Sequence, residues 1–139
     1  MVNFFQLNLK KAFIAAVELN KRVKGLDDYV ILATETYNFK NQIRSLPPKG
    51  NAIGSSNPRA AIIYGPGLEI IKVEILTTRD CAVGLLKLGN EKILIVSAYL
   101  DIKERVVQPW ADKVIEFANK KKYPIIWGCL LYTSPSPRD

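Results

Sequence analysis

The chain has 139 residues, of which 48% are hydrophobic and 24% are charged. This length and composition fit one globular domain and exclude the disordered and collagen-like classes. No apolar run approaches the roughly 20 residues that a membrane-spanning helix requires. The N-terminus also lacks the charged start and long apolar stretch of a signal peptide. We therefore expect a soluble intracellular chain with no membrane partner.

The charge balance is strongly basic. Twenty Lys and Arg residues against thirteen Asp and Glu residues give a formal net charge of +7. Such an excess attracts phosphate backbones through counterion release, although many basic surfaces only increase solubility. The two cysteines cannot form a zinc site by themselves, and the sequence has no histidine, the commonest metal ligand and general base. A complete histidine-dependent catalytic site is therefore excluded within this sequence.

The first third of the chain predicts a strand, a helix and a second strand. Residues 3–9 show a side-chain period of two, and residues 10–24 carry apolar side chains at helical spacing. Gly25 follows at the position where a helix commonly ends. Tyr29–Thr34 is a short apolar run typical of a strand buried on both faces.

The middle of the chain predicts a long loop and then a β-rich region. Residues 37–58 are rich in Asn, Gly, Pro and Ser, and a loop of this length is usually functional or mobile. Four predicted strands follow, at Ala60–Tyr64, 68–76, Cys81–Leu88 and 91–100. Gly89-Asn90 is a two-residue hairpin signal, and the four strands predict a largely antiparallel meander. Residues 106–119 predict a helix, and residues 125–127 a last strand.

The last eleven residues differ in composition from the rest of the chain. Their Ser-Pro repeats cannot continue a strand. Residues 129–139 also resemble, codon by codon, one reading frame of the transposase-end adapter used in preparing sequencing libraries. We therefore expect the authentic domain to occupy residues 1–128 and residues 129–139 to be a non-native tail. Such a tail is excluded from the prediction of the fold.

Two polar residues are predicted at strand ends, where α/β proteins often place catalytic groups. Asn8 lies at the end of the first predicted strand, and Glu35 directly follows the second. A carboxylate at such a place can bind a divalent cation, and an amide can orient a phosphate or a neighbouring carboxylate. The alternative is that Asn8 caps the next helix and Glu35 only ends its strand in solvent.

Three further residues could contribute to the same chemistry. Tyr99 closes an apolar strand, where its phenol could bind a phosphate oxygen or help to activate water. Arg59 and the turn that ends at Asp80 could supply phosphate-binding donors. The alternatives are a tyrosine with a buried ring and a solvated hydroxyl, and an ordinary solvated turn.

The order of these segments resembles one protein family. The segments are Gln-Leu-Asn-Leu, Ala-Thr-Glu-Thr-Tyr, Asn-Pro-Arg-Ala-Ala-Ile, Leu-Thr-Thr-Arg-Asp, Val-Ser-Ala-Tyr-Leu-Asp and Pro-Ile-Ile-Trp-Gly-Cys. Together they are similar to the endonuclease domain of jockey-like non-LTR retrotransposons, within the endonuclease/exonuclease/phosphatase superfamily. The resemblance runs from about residue 4 to residue 128. It implies an α/β fold, the truncated N-terminal part of a four-layer sandwich in which two packed mixed β-sheets are flanked by helices.

The resemblance also implies roles for individual residues. Glu35 falls at the family's metal-binding glutamate, for Mg²⁺ or Mn²⁺, although the flanking residues depart from the usual Gln-Glu-Pro. Asn8 falls at the first-strand asparagine that helps to organise the site, and Tyr99 at the active-site tyrosine. Arg59 and Asp80 match recurrent positions, to which we assign a supporting role in binding substrate.

Part of the family's catalytic machinery has no counterpart in this sequence. The family continues from its last matching strand into an Asp-x-Asn motif and later an Asp-His pair, whereas this chain has Leu130 and Leu131 in that region. The resemblance therefore implies a fragment of a metal-dependent DNA endonuclease that is inactive as written. It also implies DNA and a fused reverse transcriptase as partners and a nuclear location, with no small-molecule ligand.

Two expectations remain open from the sequence. The first is the function. The alternative to an endonuclease fragment is a non-catalytic basic α/β module that binds nucleic acid, and such a module would explain the positive charge without invoking truncation. The second concerns packing, since a chain ending near Gly128 is expected to supply mainly one sheet. The uncovered inner face of that sheet would then make the isolated product poorly soluble.

Overall fold

The computed structural model describes residues 2–44, 46–101 and 109–132. Its first half contains β1 (Asn3–Asn8), α1 (Phe13–Arg22), β2 (Tyr29–Thr34), β3 (Asn38–Phe39), β4 (Gln42–Ile43), β5 (Asn51–Ile53) and β6 (Ala60–Tyr64). Its second half contains β7 (Glu69–Lys72), a 3₁₀ helix (Glu74–Leu76), β8 (Cys81–Leu88), β9 (Glu91–Asp101), α2 (Pro109–Lys121) and β10 (Ile125–Tyr132).

The strands form two four-stranded mixed sheets and one small hairpin. The first sheet has the order β1-β2-β6-β5, the second β10-β9-β8-β7, and β3 pairs only with β4. The pairs β1–β2 and β9–β10 are parallel, and the other pairs are antiparallel. Parallel neighbours require a crossover, which α1 supplies in the first sheet, and α2 lies within the connection from β9 to β10.

The elements stack in four layers around three apolar clusters. Between the sheets, Leu32 and Ile62 of the first sheet pack with Leu86 and Ile95 of the second. On the outer face of the first sheet lie Leu19 of α1 and Val23, the residue after that helix, and on the outer face of the second lie Val114 and Ala118 of α2. The predicted four-layer α/β sandwich is therefore confirmed.

The packing corrects the expectation that the chain supplies mainly one sheet. Both sheets are present among the described residues, and their inner faces bury each other through the cluster that contains Val30 and Ala82. Ser97 adds a polar link, because its buried hydroxyl donates a hydrogen bond to the Ala33 carbonyl across the gap at 3.0 Å. The prediction of an uncovered apolar inner face is therefore wrong.

The predicted four-stranded meander is also wrong in one respect. Strand β6 pairs with β2 in the first sheet, so only β7, β8 and β9 form the antiparallel meander. The turn after β6 carries the chain to the other sheet. The turn itself is held against the start of β2, because the Gly65 and Gly67 amides donate hydrogen bonds to the Tyr29 and Asp27 carbonyls. A Cβ atom at Gly65 would lie 2.6 Å from Tyr29 Cε2, which explains a glycine at this close approach.

Several element boundaries differ from the sequence predictions. Helix α1 begins at Phe13 because Lys10 and Lys11 have left-handed backbones, with φ of 51° and 55°, and the left-handed Gly25 follows the helix as predicted. The predicted strand 68–76 is shorter, since β7 ends at Lys72 and the 3₁₀ helix follows. The predicted long loop contains β3, β4 and β5.

The C-terminal elements also extend differently. Helix α2 runs from Pro109 to Lys121, while residues 106–108 of the predicted helix lie outside the described residues. Strand β10 continues past the predicted residues 125–127 to Tyr132, in register with β9. Residues 133–139, with the Ser-Pro repeats, lie outside the described residues. No helix in the described ranges is long and apolar enough to cross a membrane.

Tyr29 gives a test of the packing beneath α1. Its side chain is 1% exposed, and its hydroxyl has no hydrogen-bond partner within the described residues. We expect Tyr29→Phe to leave the Tm unchanged or to raise it, because leaving a buried polar group unsatisfied costs about 1–3 kcal/mol. Tyr64→Phe is the contrast, since it removes a hydrogen bond to the Ile70 carbonyl and should lower the Tm.

The same residue predicts the response to alkali. Burial, and secondarily the charge of Asp27, raises the pKa of Tyr29 above its usual value of 10.0. Because the folded-state pKa lies above the unfolded one, the neutral phenol favours folding fully below pH 10, and this contribution is lost as pH rises through the folded-state pKa. Urea denaturation from pH 7 to 11 should show the free energy of unfolding falling above pH 10, and less steeply in Tyr29→Phe. An equal fall in both proteins would contradict the prediction.

Candidate active site at one end of the sandwich

The carboxyl ends of β1 and β2 place two of the predicted site residues side by side. The strands are parallel, and Asn8 is the register partner of Thr34, the residue before Glu35. Two backbone hydrogen bonds continue the pairing beyond the strands, from the Leu9 amide to the Thr34 carbonyl and from the Lys11 amide to the Glu35 carbonyl. Parallel strands end at a common edge, so this geometry follows directly from the topology.

Glu35 has a backbone conformation that the sequence did not predict. Its φ is 49°, in the left-handed region that residues other than glycine rarely adopt. Such a conformation costs about 1–3 kcal/mol and persists where surrounding contacts fix it. Here the Glu35 amide donates to the Arg59 carbonyl at 2.7 Å, and its carbonyl accepts from Lys11 at 2.7 Å. The result is a half-exposed carboxylate held at the end of β2.

Asn8 turns the chain at the end of β1. Its Oδ1 atom accepts a hydrogen bond from the Lys10 amide at 2.7 Å, the pattern of an Asx-turn. The N-cap of α1 is Ala12, and no side chain caps the helix there. Asn8 therefore does not cap the helix, and it shapes the turn that brings Lys11 to the Glu35 carbonyl.

Arg59, Asp80 and Tyr99 form one side-chain group. The Nε and Nη2 atoms of Arg59 donate to the two carboxylate oxygens of Asp80, at 2.5 and 2.6 Å. The Arg59 guanidinium carbon also lies 4.9 Å from the centre of the Tyr99 ring, a cation–π contact. The Asp80 pair and the Tyr99 ring together fix the position of this guanidinium.

Tyr99 faces the gap between the sheets. Along β9, Ile95 belongs to the inter-sheet cluster and Ser97 reaches the first sheet, so strand alternation places Tyr99 on the same face. The side chain is 7% exposed. The ring of Tyr99 is therefore buried, as one of the two alternatives from the sequence predicts. It packs at the same end of the sandwich as Glu35.

Backbone hydrogen bonds connect the site residues in a continuous series. The Glu35 amide donates to Arg59, the Arg59 amide donates to Arg79, and the Tyr99 amide donates to the Asp80 carbonyl, at 2.7, 2.7 and 2.8 Å. The structure therefore brings Glu35, Arg59, Asp80 and Tyr99 to one edge, and Asn8 joins them through the pairing of β1 with β2.

A polar network beside Glu35 was missed by the sequence reasoning. The Thr36 hydroxyl lies within hydrogen-bond distance of the Pro58 carbonyl (3.0 Å) and of Asn38 Oδ1 (2.8 Å). The Asn38 amide group donates to Asn57 Oδ1 and to the Pro58 carbonyl, at 3.1 and 2.9 Å. The only signal in the sequence was the asparagine content of a segment that looked like a loop.

Few oxygen ligands for a divalent cation come together at this edge. Within the described residues no group of three or more His, Cys, Asp or Glu side chains comes together. Mg²⁺ does not need such a group, because it keeps several waters and binds through one or two carboxylates together with substrate phosphates. Glu35 supplies one carboxylate. The buried hydroxyl of Thr34, directly before it, has no hydrogen-bond partner among the described residues.

Comparison with solved structures shows that the fold of this chain is known. No protein-family model matches the chain, and no curated protein sequence matches it. The solved endonuclease domain of TRAS1, a telomere-specific non-LTR retrotransposon, matches with a TM-score of 0.68 and 20% sequence identity. The two proteins share a fold. The match covers 93% of this chain but 58% of the TRAS1 domain, so the chain spans less than two thirds of that domain's length.

The Arg59–Asp80 pair yields a stability prediction. Replacing either residue with Ala should lower the free energy of unfolding by about 1–3 kcal/mol, because it leaves a half-buried charge without its bidentate partner. The double variant should lose less than the sum of the single losses in urea denaturation. Lys87 and Glu69 are the matched control, since this ion pair of 3.1 Å is more exposed. Their coupling energy should be about 0.2–1 kcal/mol. Strictly additive losses at Arg59 and Asp80 would contradict the prediction.

Proposed function

We propose that the chain is part of a metal-dependent DNA endonuclease domain of a non-LTR retrotransposon, which hydrolyses a phosphodiester of target DNA before reverse transcription. The observation that carries the proposal is the meeting of Glu35, Tyr99 and the Arg59–Asp80 pair at one edge of a fold shared with the TRAS1 endonuclease domain. The order of the sequence segments gives independent support. The chain covers 58% of that domain, so the activity belongs in this proposal to a longer protein.

The proposed roles follow the chemistry of each side chain. Glu35 would hold Mg²⁺ or Mn²⁺, which stabilises negative charge on the phosphate when bound. Asn8 would organise the turn beside it, and the Tyr99 hydroxyl would bind a phosphate oxygen or position water. Arg59 would bind substrate while it remains hydrogen-bonded to Asp80. It would also position the Tyr99 ring, which it contacts.

The proposal leaves the 139-residue chain without a general base. The sequence contains no histidine, and no Asp-x-Asn motif follows the last strand. Hydrolysis requires a group that activates the attacking water. We therefore propose that this chain binds DNA through its net charge of +7 but does not cleave it. In the full-length protein we propose a fused reverse transcriptase and a nuclear location.

Cation binding at Glu35 can be tested without activity. Substoichiometric Mn²⁺ should broaden the amide NMR signals of Glu35 and Thr36, because a paramagnetic ion relaxes nearby protons. Glu35→Gln should remove this broadening, since the carboxylate is the proposed anionic ligand. Glu74→Gln is the control. Glu74 is an exposed carboxylate on the 3₁₀ helix that follows β7, and its loss should leave the broadening unchanged. Equal broadening in Glu35→Gln would refute the metal assignment.

The absence of cleavage is a second test. Supercoiled plasmid incubated with the 139-residue chain and magnesium should stay uncut at every time point of a gel assay. Robust nicking that Glu35→Ala abolishes would show that the water is activated by groups within this chain, and the proposed missing base would be wrong.

The natural sequence beyond Gly128 separates the endonuclease from a non-catalytic binding module. Adapter-free long-read sequencing of the source transcript should reveal an Asp-x-Asn motif, a later Asp-His pair and a reverse transcriptase. If the codons of the Ser-Pro tail and a stop codon are present instead, the chain is a binding module. A DNA-binding assay alone does not separate the two, because both bind DNA in a salt-dependent way.

A further inference from the structure

The β3–β4 hairpin exposes an aromatic ring between two cations. The Phe39 side chain is 54% exposed. Lys40 Nζ lies 5.6 Å and Arg44 Cζ 5.8 Å from the centre of its ring. Neither cation forms an ion pair with a described residue. An exposed aromatic ring beside unpaired cations is the chemistry that binds an unstacked base together with its phosphates.

The hairpin is held firmly beside the candidate active site. At its base, the Arg44 amide donates to the Tyr37 carbonyl at 2.9 Å, and at its turn the Asn41 carbonyl accepts from the Asn57 amide at 2.8 Å. The side-chain network of Asn38 fixes the first strand to Pro58, the residue before Arg59. The hairpin begins three residues after Glu35, so Phe39 is presented on a fixed support four residues along the chain from the proposed metal ligand.

The surroundings of the hairpin favour an anionic polymer. Exposed cations lie beside several site residues along the chain. Lys10 and Lys11 follow Asn8, Lys40 and Arg44 lie at the hairpin, and Arg79 precedes Asp80. A cleft of about 440 Å³ lies against the hairpin turn, within the roughly 300–1,000 Å³ typical of ligand pockets. Its lining includes Lys40, Asn41, Ser55 and Ser56, which offer a cation and several hydrogen-bonding groups.

We propose that the β3–β4 hairpin is a nucleotide-binding element of the DNA site, in which Phe39 stacks on an unstacked base and Lys40 and Arg44 contact the flanking phosphates. This inference rests on the proposed DNA endonuclease function and adds a specific contact to it. The unstacked base comes either from a single strand or from a locally opened duplex. In both cases the stacking holds the backbone beside Glu35.

The test measures binding of the 139-residue chain to three fluorescent DNAs of equal length by anisotropy. The probes are a single strand, a perfect duplex and a duplex with one unpaired nucleotide. Phe39→Ala should raise Kd at least about 5-fold for a probe with an unstacked base, because base–aromatic stacking contributes about 1–3 kcal/mol. Phe39→Leu separates aromatic stacking from loss of apolar area, and it also serves if Phe39→Ala lowers the Tm. Ile75→Ala is the matched control, because Ile75 is 81% exposed on the 3₁₀ helix.

The cations are tested through the salt dependence. Lys40→Ala with Arg44→Ala should reduce the slope of log Kd against log salt by about 1.4 for the single strand, since each phosphate contact contributes about 0.7. The control is Lys92→Ala with Lys122→Ala. These lysines line a separate cleft. Lys92 lies on β9 seven residues before Tyr99, and Lys122 directly follows α2. Their loss should leave the effect of Phe39→Ala unchanged.

The outcomes distinguish the two proposals. Loss of affinity confined to the single strand supports a single-stranded ligand, and loss that includes the duplex with an unpaired nucleotide supports an opened duplex. If the unmodified chain binds DNA but the Phe39 variants and the Lys40/Arg44 variant bind as it does, the hairpin inference is overturned and the endonuclease proposal stands. If the unmodified chain binds none of the probes, both proposals fall.

Discussion

The burial of two sheets against each other is the constraint on which the rest of this structure depends. Neither sheet has a covered inner face unless the other is in place, so strands as distant along the chain as β2 and β9 must pack together. Small residues allow the close approach. A Cβ atom at Gly128 would lie 2.7 Å from Leu32 Cβ of the first sheet, and one at Gly84 would lie 3.2 Å from Ile53 Cδ1 of the first sheet. The Ser97–Ala33 hydrogen bond then ties the sheets at the buried end near Tyr99.

The candidate active site is a consequence of this packing. Its residues come from the ends or flanks of β1, β2, β6, β8 and β9, which no local stretch of sequence could bring together. Once the sheets are stacked, backbone hydrogen bonds run from Glu35 to Arg59 and from Tyr99 to Asp80. The Arg59 guanidinium closes the group by contacting both the carboxylate and the ring. Stability and the geometry of the site therefore share the same contacts.

Much of the fold could be predicted from the sequence because its patterns are local. The apolar run of β2, the hairpin at Gly89 and the helix end at Gly25 are each specified within a few residues. The partner of β6 could not be predicted, because antiparallel pairing with β2 or with β7 would satisfy the same apolar pattern. The turn at Gly65 decides between them through contacts with Tyr29 that exist only after folding.

The site was predictable in position but not in detail. Asn8 ends one recognisable strand and Glu35 follows another, and the parallel pairing of these strands brings the two residues together. Arg59 and Asp80 are 21 residues apart, and their pairing depends on the direction of both side chains. That direction cannot be predicted from a single sequence. The sequence predicts a loop where the hairpin carries Phe39, because each of its strands has only two residues and shows no periodicity.

The left-handed backbone at Glu35 separates what the fold prefers from what the proposed chemistry needs. Glycine adopts this conformation without the Cβ penalty, and asparagine tolerates it better than most residues. A sequence designed only for stability on this backbone would therefore replace the glutamate with glycine or asparagine. Such a design would keep both sheets and every neighbouring hydrogen bond of the main chain, and it would erase the carboxylate on which metal binding is proposed to rest.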